Sequence, residues 1–166
     1  MKSYMKLLAL AVLLMAPMPV QAQATPSPTL PAIGGDTLVG KADIVDGDTI
    51  DISGRRIDLF GIDAPEKDQL CEAAGQKWSC GQNATFGLSA IVERQWVHCR
   101  IVTTDTDGRI AAICRLAGAN GPDINAAMVR QGWAVADRRP PAPYLAEENA
   151  ARAAKAGIWV GERRAR

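Results

Sequence analysis

No run of about 20 apolar residues, no C-x-x-C pair, no large surplus of positive charge and no internal repeat occurs in this 166-residue chain. Each absence removes a class of protein. The longest apolar stretch, Leu7 to Met15, is too short to cross a bilayer as a helix. Lys2 and Lys6 precede it and the small residues of "VQAQA" follow. That order predicts a secretory signal peptide over residues 1–22, cut after Ala22 or Ala24, with no stable membrane anchor left behind. Of the 19 Lys and Arg, two lie in this leader, so 17 remain against 18 Asp and Glu, a net charge of −1. A globally basic polymer binder is therefore excluded, because nonspecific affinity for nucleic acid needs clustered cations that displace phosphate counterions. Any nucleic acid has to be held at a local site. A single histidine, His98, and widely spaced cysteines argue against zinc.

Residues 23–36, "QATPSPTLPAIGGD", show neither helical nor strand periodicity and read as a flexible tether. One domain over residues 37–162 follows, with a basic tail at 163–166. Strand patterns appear in "LVGKADIV", "DTIDIS" and "RRIDLFGI", with Ser53 and Gly54 as a two-residue hairpin loop. Ala84, Leu88, Ile91 and Val92 share one face of a helix from about Gly81 to Glu93. Two more strands, "QWVHCRIVT" and "GRIAAICRL", are joined by "DTDG". Asp123 caps a short helix through Gln131, and Pro143 opens a last one ending at Gly157. Three strands, a helix, two strands and C-terminal helices is the element order of a five-stranded OB-fold barrel, an α+β class.

The four cysteines are Cys71, Cys80, Cys99 and Cys114, and an even number in an exported protein predicts two bridges. With the hairpin centred between Thr106 and Asp107, Cys99 lies opposite Cys114, at the ~4.5–5.5 Å that a disulfide accepts. Cys71 then pairs with Cys80. Such bridges suit the periplasm or the medium beyond the cell. The four tryptophans read as packing residues.

The acids carry the chemistry. Asp48 begins one strand of a hairpin whose other strand leads to Asp63, so the chain folds two carboxylates onto one end of the barrel. Hard oxygen ligands of this kind suit Ca²⁺ or Mg²⁺. Taken alone, Asp46-Gly47-Asp48 also reads as an ordinary turn.

"VDGDTI", "GIDAPE", "DTDGR", "VRQGW" and "GIW", in this order over about residues 38–160, resemble the staphylococcal nuclease, or thermonuclease, family. "CEAAGQKWSCG" resembles an insertion of its exported bacterial members. The resemblance implies an OB barrel and Ca²⁺-dependent hydrolysis of phosphodiester bonds in DNA and RNA. It further implies that Asp48, Asp63 and the Ala64 carbonyl hold the metal, that Glu66 is the general base, and that Arg109 contacts the phosphate. Glutamate is a weak base at neutral pH, so metal polarisation of the water has to assist it.

Two positions depart from the family pattern. Asp58 stands where "IRLFGIDAPE" carries a catalytic arginine, and Asp137 stands where a nucleotide-stacking tyrosine is expected. Arg56 shares the strand face of Asp58, ~6.7 Å along it, so it either reaches the phosphate in place of the missing arginine or pairs with Asp51 or Asp58. The expectation is a monomeric metal-dependent nuclease, weakened at Asp58. Its competitors are a lapsed nuclease that binds nucleic acid or another anionic ligand without cleaving, and an envelope scaffold.

Overall fold

A computed structural model describes residues 37–161, so the expected leader, tether and basic tail lie outside the described residues. Strand β1 (Thr37–Lys41) is separated by Ala42 alone from β2 (Asp43–Ile44); β3 (Thr49–Ile52), β4 (Arg55–Leu59) and β5 (Ile62–Asp63) follow. A small hairpin, β6 (Cys71–Ala73) and β7 (Gln76–Trp78), leads into helix α1 (Cys80–Val92). The long strands β8 (Trp96–Thr104) and β9 (Ile110–Leu116) come next, then α2 (Ile124–Arg130), β10 (Val135–Ala136), α3 (Leu145–Ala154) and a 3₁₀ turn over Gly157–Gly161.

The main sheet runs β1-β8-β9-β4-β3-β2, and its two ends are consecutive halves of one strand. The sheet therefore curls back on itself. Close approach at that closure requires Gly40, since a Cβ there would lie 2.5 Å from Ile52 Cγ2. The β4–β9 pair is parallel and its neighbours are antiparallel. Ile50, Ile57, Val97, Cys99, Ala112 and Cys114 fill the interior with no exposed surface, and Leu88, Met128 and Val129 from the helices cap it. The expected OB-type architecture is the one observed.

Local signals explain most boundaries. Ser53 and Gly54 adopt φ of 56° and 80°, the two positive values a type I′ hairpin loop needs. The Asp123 carboxylate accepts the Ala126 N–H at 2.9 Å and caps α2. Cys99 faces Cys114 in the β8–β9 register, and disulfides join Cys99 to Cys114 and Cys71 to Cys80. Helix α3 stops earlier than its alanine-rich sequence suggests, because Lys155 takes a left-handed φ of 53° and its N–H caps the helix before Gly157.

Two buried polar groups staple the layers. Asn125, fully buried on α2, accepts the Cys114 N–H and donates to the Phe60 and Ala112 carbonyls at 2.9 and 3.1 Å. This ties the helix to the middle of β9 and to Phe60, just after β4. Glu148, 1% exposed on α3, accepts the Ala136 N–H at 2.8 Å and hydrogen bonds from Arg138 and Arg152. A buried carboxylate is tolerated only with such partners. Here they tie β10 to α3, while β10 pairs separately with β5, Val135 opposite Asp63.

Candidate active site

Two surface cavities adjoin on the outer side of β3 and β4. The first, about 800 Å³, is lined by Arg55, Arg56 and Arg109 together with Thr104, Asp107 and the glycines of both hairpin turns. The second, about 610 Å³, is lined by Asp48, Glu66, Phe60, Asp137 and Arg139. Asp46, Thr49 and Asp58 line both. One groove thus runs from a cluster of arginines to a cluster of carboxylates. Among the described residues none of the three arginines makes an ion pair. Asp63 borders a third cavity, which shares Ile62, Asp137 and Arg139 with the second.

Each side chain is delivered by a local device. Asp48 enters β3 from the Asp46-Gly47 turn, and its Oδ2 accepts the Ala64 N–H at 2.7 Å. The Ala64 group in contact with Asp48 is therefore its amide. Glu66 is exposed, and its backbone is fixed on both sides: its N–H donates to Gln69 Oε1 at 3.2 Å and its carbonyl accepts the Gln69 N–H at 2.8 Å. The first turn of α1 packs directly on this segment, and a Cβ on Gly81 would fall 1.6 Å from the Glu66 carbonyl oxygen. Only glycine permits that approach. The Cys71–Cys80 bridge holds the same junction. Arg109 leaves the β8–β9 turn, where its N–H donates to Asp105 Oδ1 at 2.8 Å.

Burial pushes the Asp48 carboxyl up to about 7, well above the usual aspartate range; the neighbouring carboxylates of Asp46 and Asp63 add to the rise and the Ala64 N–H opposes it. A carboxyl whose folded-state pKa is raised binds its proton more tightly in the folded protein. Its ionisation therefore destabilises the fold progressively from about pH 4 to about pH 7, and the full penalty is present above that. Asp48→Asn removes the penalty while keeping an oxygen for the Ala64 N–H. In chelator at pH 8 this variant is expected to be more stable than the wild type by about 2–4 kcal/mol. At pH 4 the two converge. Urea unfolding at both pH values measures this, and equal midpoints at pH 8 would contradict the electrostatic account.

The two departures behave differently. Asp58 sits half-buried on the outer face of β4, opposite Thr49, with Ile57 and Leu59 pointing inward. Thr49 Oγ1 lies 3.3 Å from both Asp48 Oδ1 and Asp58 Oδ1. Its one proton serves only one of them at a time. Arg56 is registered opposite Asp51, as strand pairing predicts, yet it makes no ion pair with Asp51 or Asp58. Asp137, in contrast, is neutralised locally. Arg139 donates to both its carboxylate oxygens at 2.6–3.1 Å, and this holds the Asp137 pKa below its usual value.

The sequence matches the family described as staphylococcal nuclease homologue over residues 56–161. The chain belongs to the staphylococcal nuclease family. The succinoglycan biosynthesis protein ExoI of Rhizobium meliloti (strain 1021) is 32% identical over 127 residues, covering 75% of this chain and 65% of that protein. The chain thus spans somewhat under two thirds of that relative's length.

The donor set of this staphylococcal nuclease homologue suits a hard cation. Asp48 feels the negative charge of Asp46 and of Asp63, and a divalent cation bound beside it would offset that repulsion. Among the described residues no three His, Cys, Asp or Glu side chains gather at one point. Water and main-chain oxygens have to complete any coordination shell.

Four residues of the groove and its supports escape a sequence reading focused on the family acids. Asp46 lines both cavities, and Thr49 links Asp48 to Asp58. The doublet "DGDT" is the only local hint of either. Asn125 and Glu148 act across 65 and 12 positions of sequence, and no short pattern marks them.

Proposed function

We propose that this protein is an exported, metal-dependent nuclease that hydrolyses phosphodiester bonds of RNA or DNA as a monomer, using Ca²⁺ held by Asp48, Asp63 and the Ala64 carbonyl. Calcium, when bound, supplies positive charge that polarises the phosphoryl oxygen and the attacking water. Glu66 accepts the proton of that water as its oxygen attacks phosphorus and the bond to the leaving oxygen breaks. Arg109 donates to the nonbridging oxygens, where charge grows. Arg56 supplies the second guanidinium in place of the arginine that Asp58 displaces.

The observation that carries this reading is the groove that joins Glu66 and Asp48 to three arginines without ion pairs. Arginines held free of carboxylates are available to an anionic ligand. Two disulfides support export, since such bridges persist in oxidising compartments.

The test uses purified, disulfide-bonded protein with labelled oligonucleotides. Cleavage is expected with Ca²⁺ and none with chelator. Arg56→Ala is expected to lower the rate by about tenfold or more, and Arg55→Ala by about twofold, because only residue 56 shares the face of Asp58. Equal losses would remove Arg56 from the site, and chelator-resistant cleavage would remove the metal.

A second reading is favoured by Asp58 itself, a carboxylate in the middle of the groove. On it the protein binds an anionic ligand through its arginines without turnover. ExoI is named for succinoglycan biosynthesis, so succinoglycan belongs among the ligands tried. Calcium-dependent oligonucleotide binding with no product would establish this alternative.

A further inference from the structure

Asp58 poses a chemical question that the nuclease reading leaves open. Its carboxylate lines the junction of the two cavities, with the arginines on one side and Asp48 and Glu66 on the other. A phosphate gripped by Arg56 and Arg109 therefore lies beside an anion. Ionised carboxylates accept hydrogen bonds and donate none, with room for about four. Among the described residues the one side-chain donor within reach is Thr49 Oγ1 at 3.3 Å, and its proton is shared with Asp48. None of Arg55, Arg56 and Arg109 forms an ion pair with it. Asp58 thus faces the ligand path with acceptor capacity to spare, and the group on a nucleic acid that meets it favourably is a hydrogen-bond donor.

A phosphodiester has no donor of its own. In RNA the ribose 2′-hydroxyl stands on the carbon next to the one that carries the 3′-phosphate, so each bound phosphate brings a donor with it. In DNA that position carries only hydrogen. We propose that Asp58 is a specificity residue that accepts a hydrogen bond from the ribose 2′-hydroxyl beside the bound phosphate, making RNA the favoured substrate over DNA. This rests on the nuclease reading for the placement of the phosphate. The substitution then exchanges a phosphate contact for a sugar contact, at the expense of DNA.

A hydrogen bond to a charged acceptor discriminates by roughly 10- to 100-fold against a ligand that lacks the donor. The experiment compares single-stranded RNA, DNA and 2′-O-methyl RNA of the same sequence, by cleavage kcat/KM and by fluorescence anisotropy in Ca²⁺. RNA is expected to lead both others by that factor. Asp58→Ala is expected to bring the three within about twofold of one another, and Asp58→Asn, which keeps a neutral acceptor, to fall between. Thermal melts check that both variants fold. Equal use of RNA and DNA by the wild type overturns the proposal, as does an RNA preference unchanged in Asp58→Ala. A preference that follows the base and survives 2′-O-methylation overturns it too, since the donor would then be on the base. Cleavage without sugar preference refutes the proposal and leaves the nuclease standing. Binding that prefers RNA, loses the preference in Asp58→Ala and yields no product does the reverse.

Discussion

Replacing Asp58 by arginine is expected to raise the rate of single-stranded DNA cleavage by roughly 10² to 10⁴-fold. At about 5 Å and an effective dielectric near 20, one unit charge acting on the phosphate is worth about 3 kcal/mol, and reversing its sign changes the interaction by about 6 before screening. The groove is open to solvent, so salt takes part of this and the lower bound is the safer expectation. The position suits the change, because the side chain of residue 58 emerges on the outer face of β4 opposite Thr49 and no core contact is lost. The gain is also expected to shrink as ionic strength rises. Measured kcat/KM on DNA in Ca²⁺ decides the matter. An unchanged or lower rate for Asp58→Arg would show that residue 58 does not face the scissile phosphate. If RNA was favoured before the change, the same substitution removes that preference, because the acceptor is gone.

Glu66→Gln is expected to lower turnover by roughly 10² to 10⁴-fold, the usual contribution of a general base, with oligonucleotide affinity nearly unchanged. Glutamine keeps the shape of the side chain and loses the ability to take a proton from water. The loop should not move. Its position is set by main-chain contacts to Gln69 and by the packing of Gly81 on the Glu66 carbonyl, and none of these involves the carboxylate. Single-turnover cleavage with the variant in excess separates loss of chemistry from loss of binding. A fall of less than about tenfold would assign the proton to another acceptor.

Charge along the groove also explains why the second departure from the family pattern matters less. Asp137 carries its own counterion, since the Arg139 guanidinium engages both carboxylate oxygens. Among the described residues Asp58 has no such partner. Two aspartates that look equivalent in the sequence therefore differ in the field they present to a polyanion. The difference arises because the chain after β10 turns so that residues 137 and 139 meet side by side.

What the sequence by itself determined is local or follows from counting along the chain. The period-2 and period-3.6 patterns placed the strands and α1. Ser53-Gly54 set one hairpin, and that hairpin put Arg56 and Asp58 on one face. The turn at "DTDG" set another, and the bridge expected from it, Cys99 to Cys114, is the one formed. The turn itself is centred on Asp107, with Thr104 opposite Ile110, and a one-residue irregularity between Ile101 and Thr103 restores the register that sets Cys99 opposite Cys114. The small hairpin of β6 and β7 was not legible, since its three-residue strands carry almost no alternation and it is held by the bridge from Cys71 to Cys80.

Only the tertiary structure decided how the chemistry is distributed. It set the arginines of β4 and of the β8–β9 turn beside one cavity, through the parallel pairing of β4 with β9, whose residues lie about fifty positions apart in the chain. It buried Asp48 among other acids and so raised its proton affinity. It recruited Asn125 and Glu148 to hydrogen bond main-chain groups of distant strands. Desolvation, ion pairing and the filling of orphaned hydrogen bonds depend on which distant segments pack together, and a one-dimensional pattern does not carry that information.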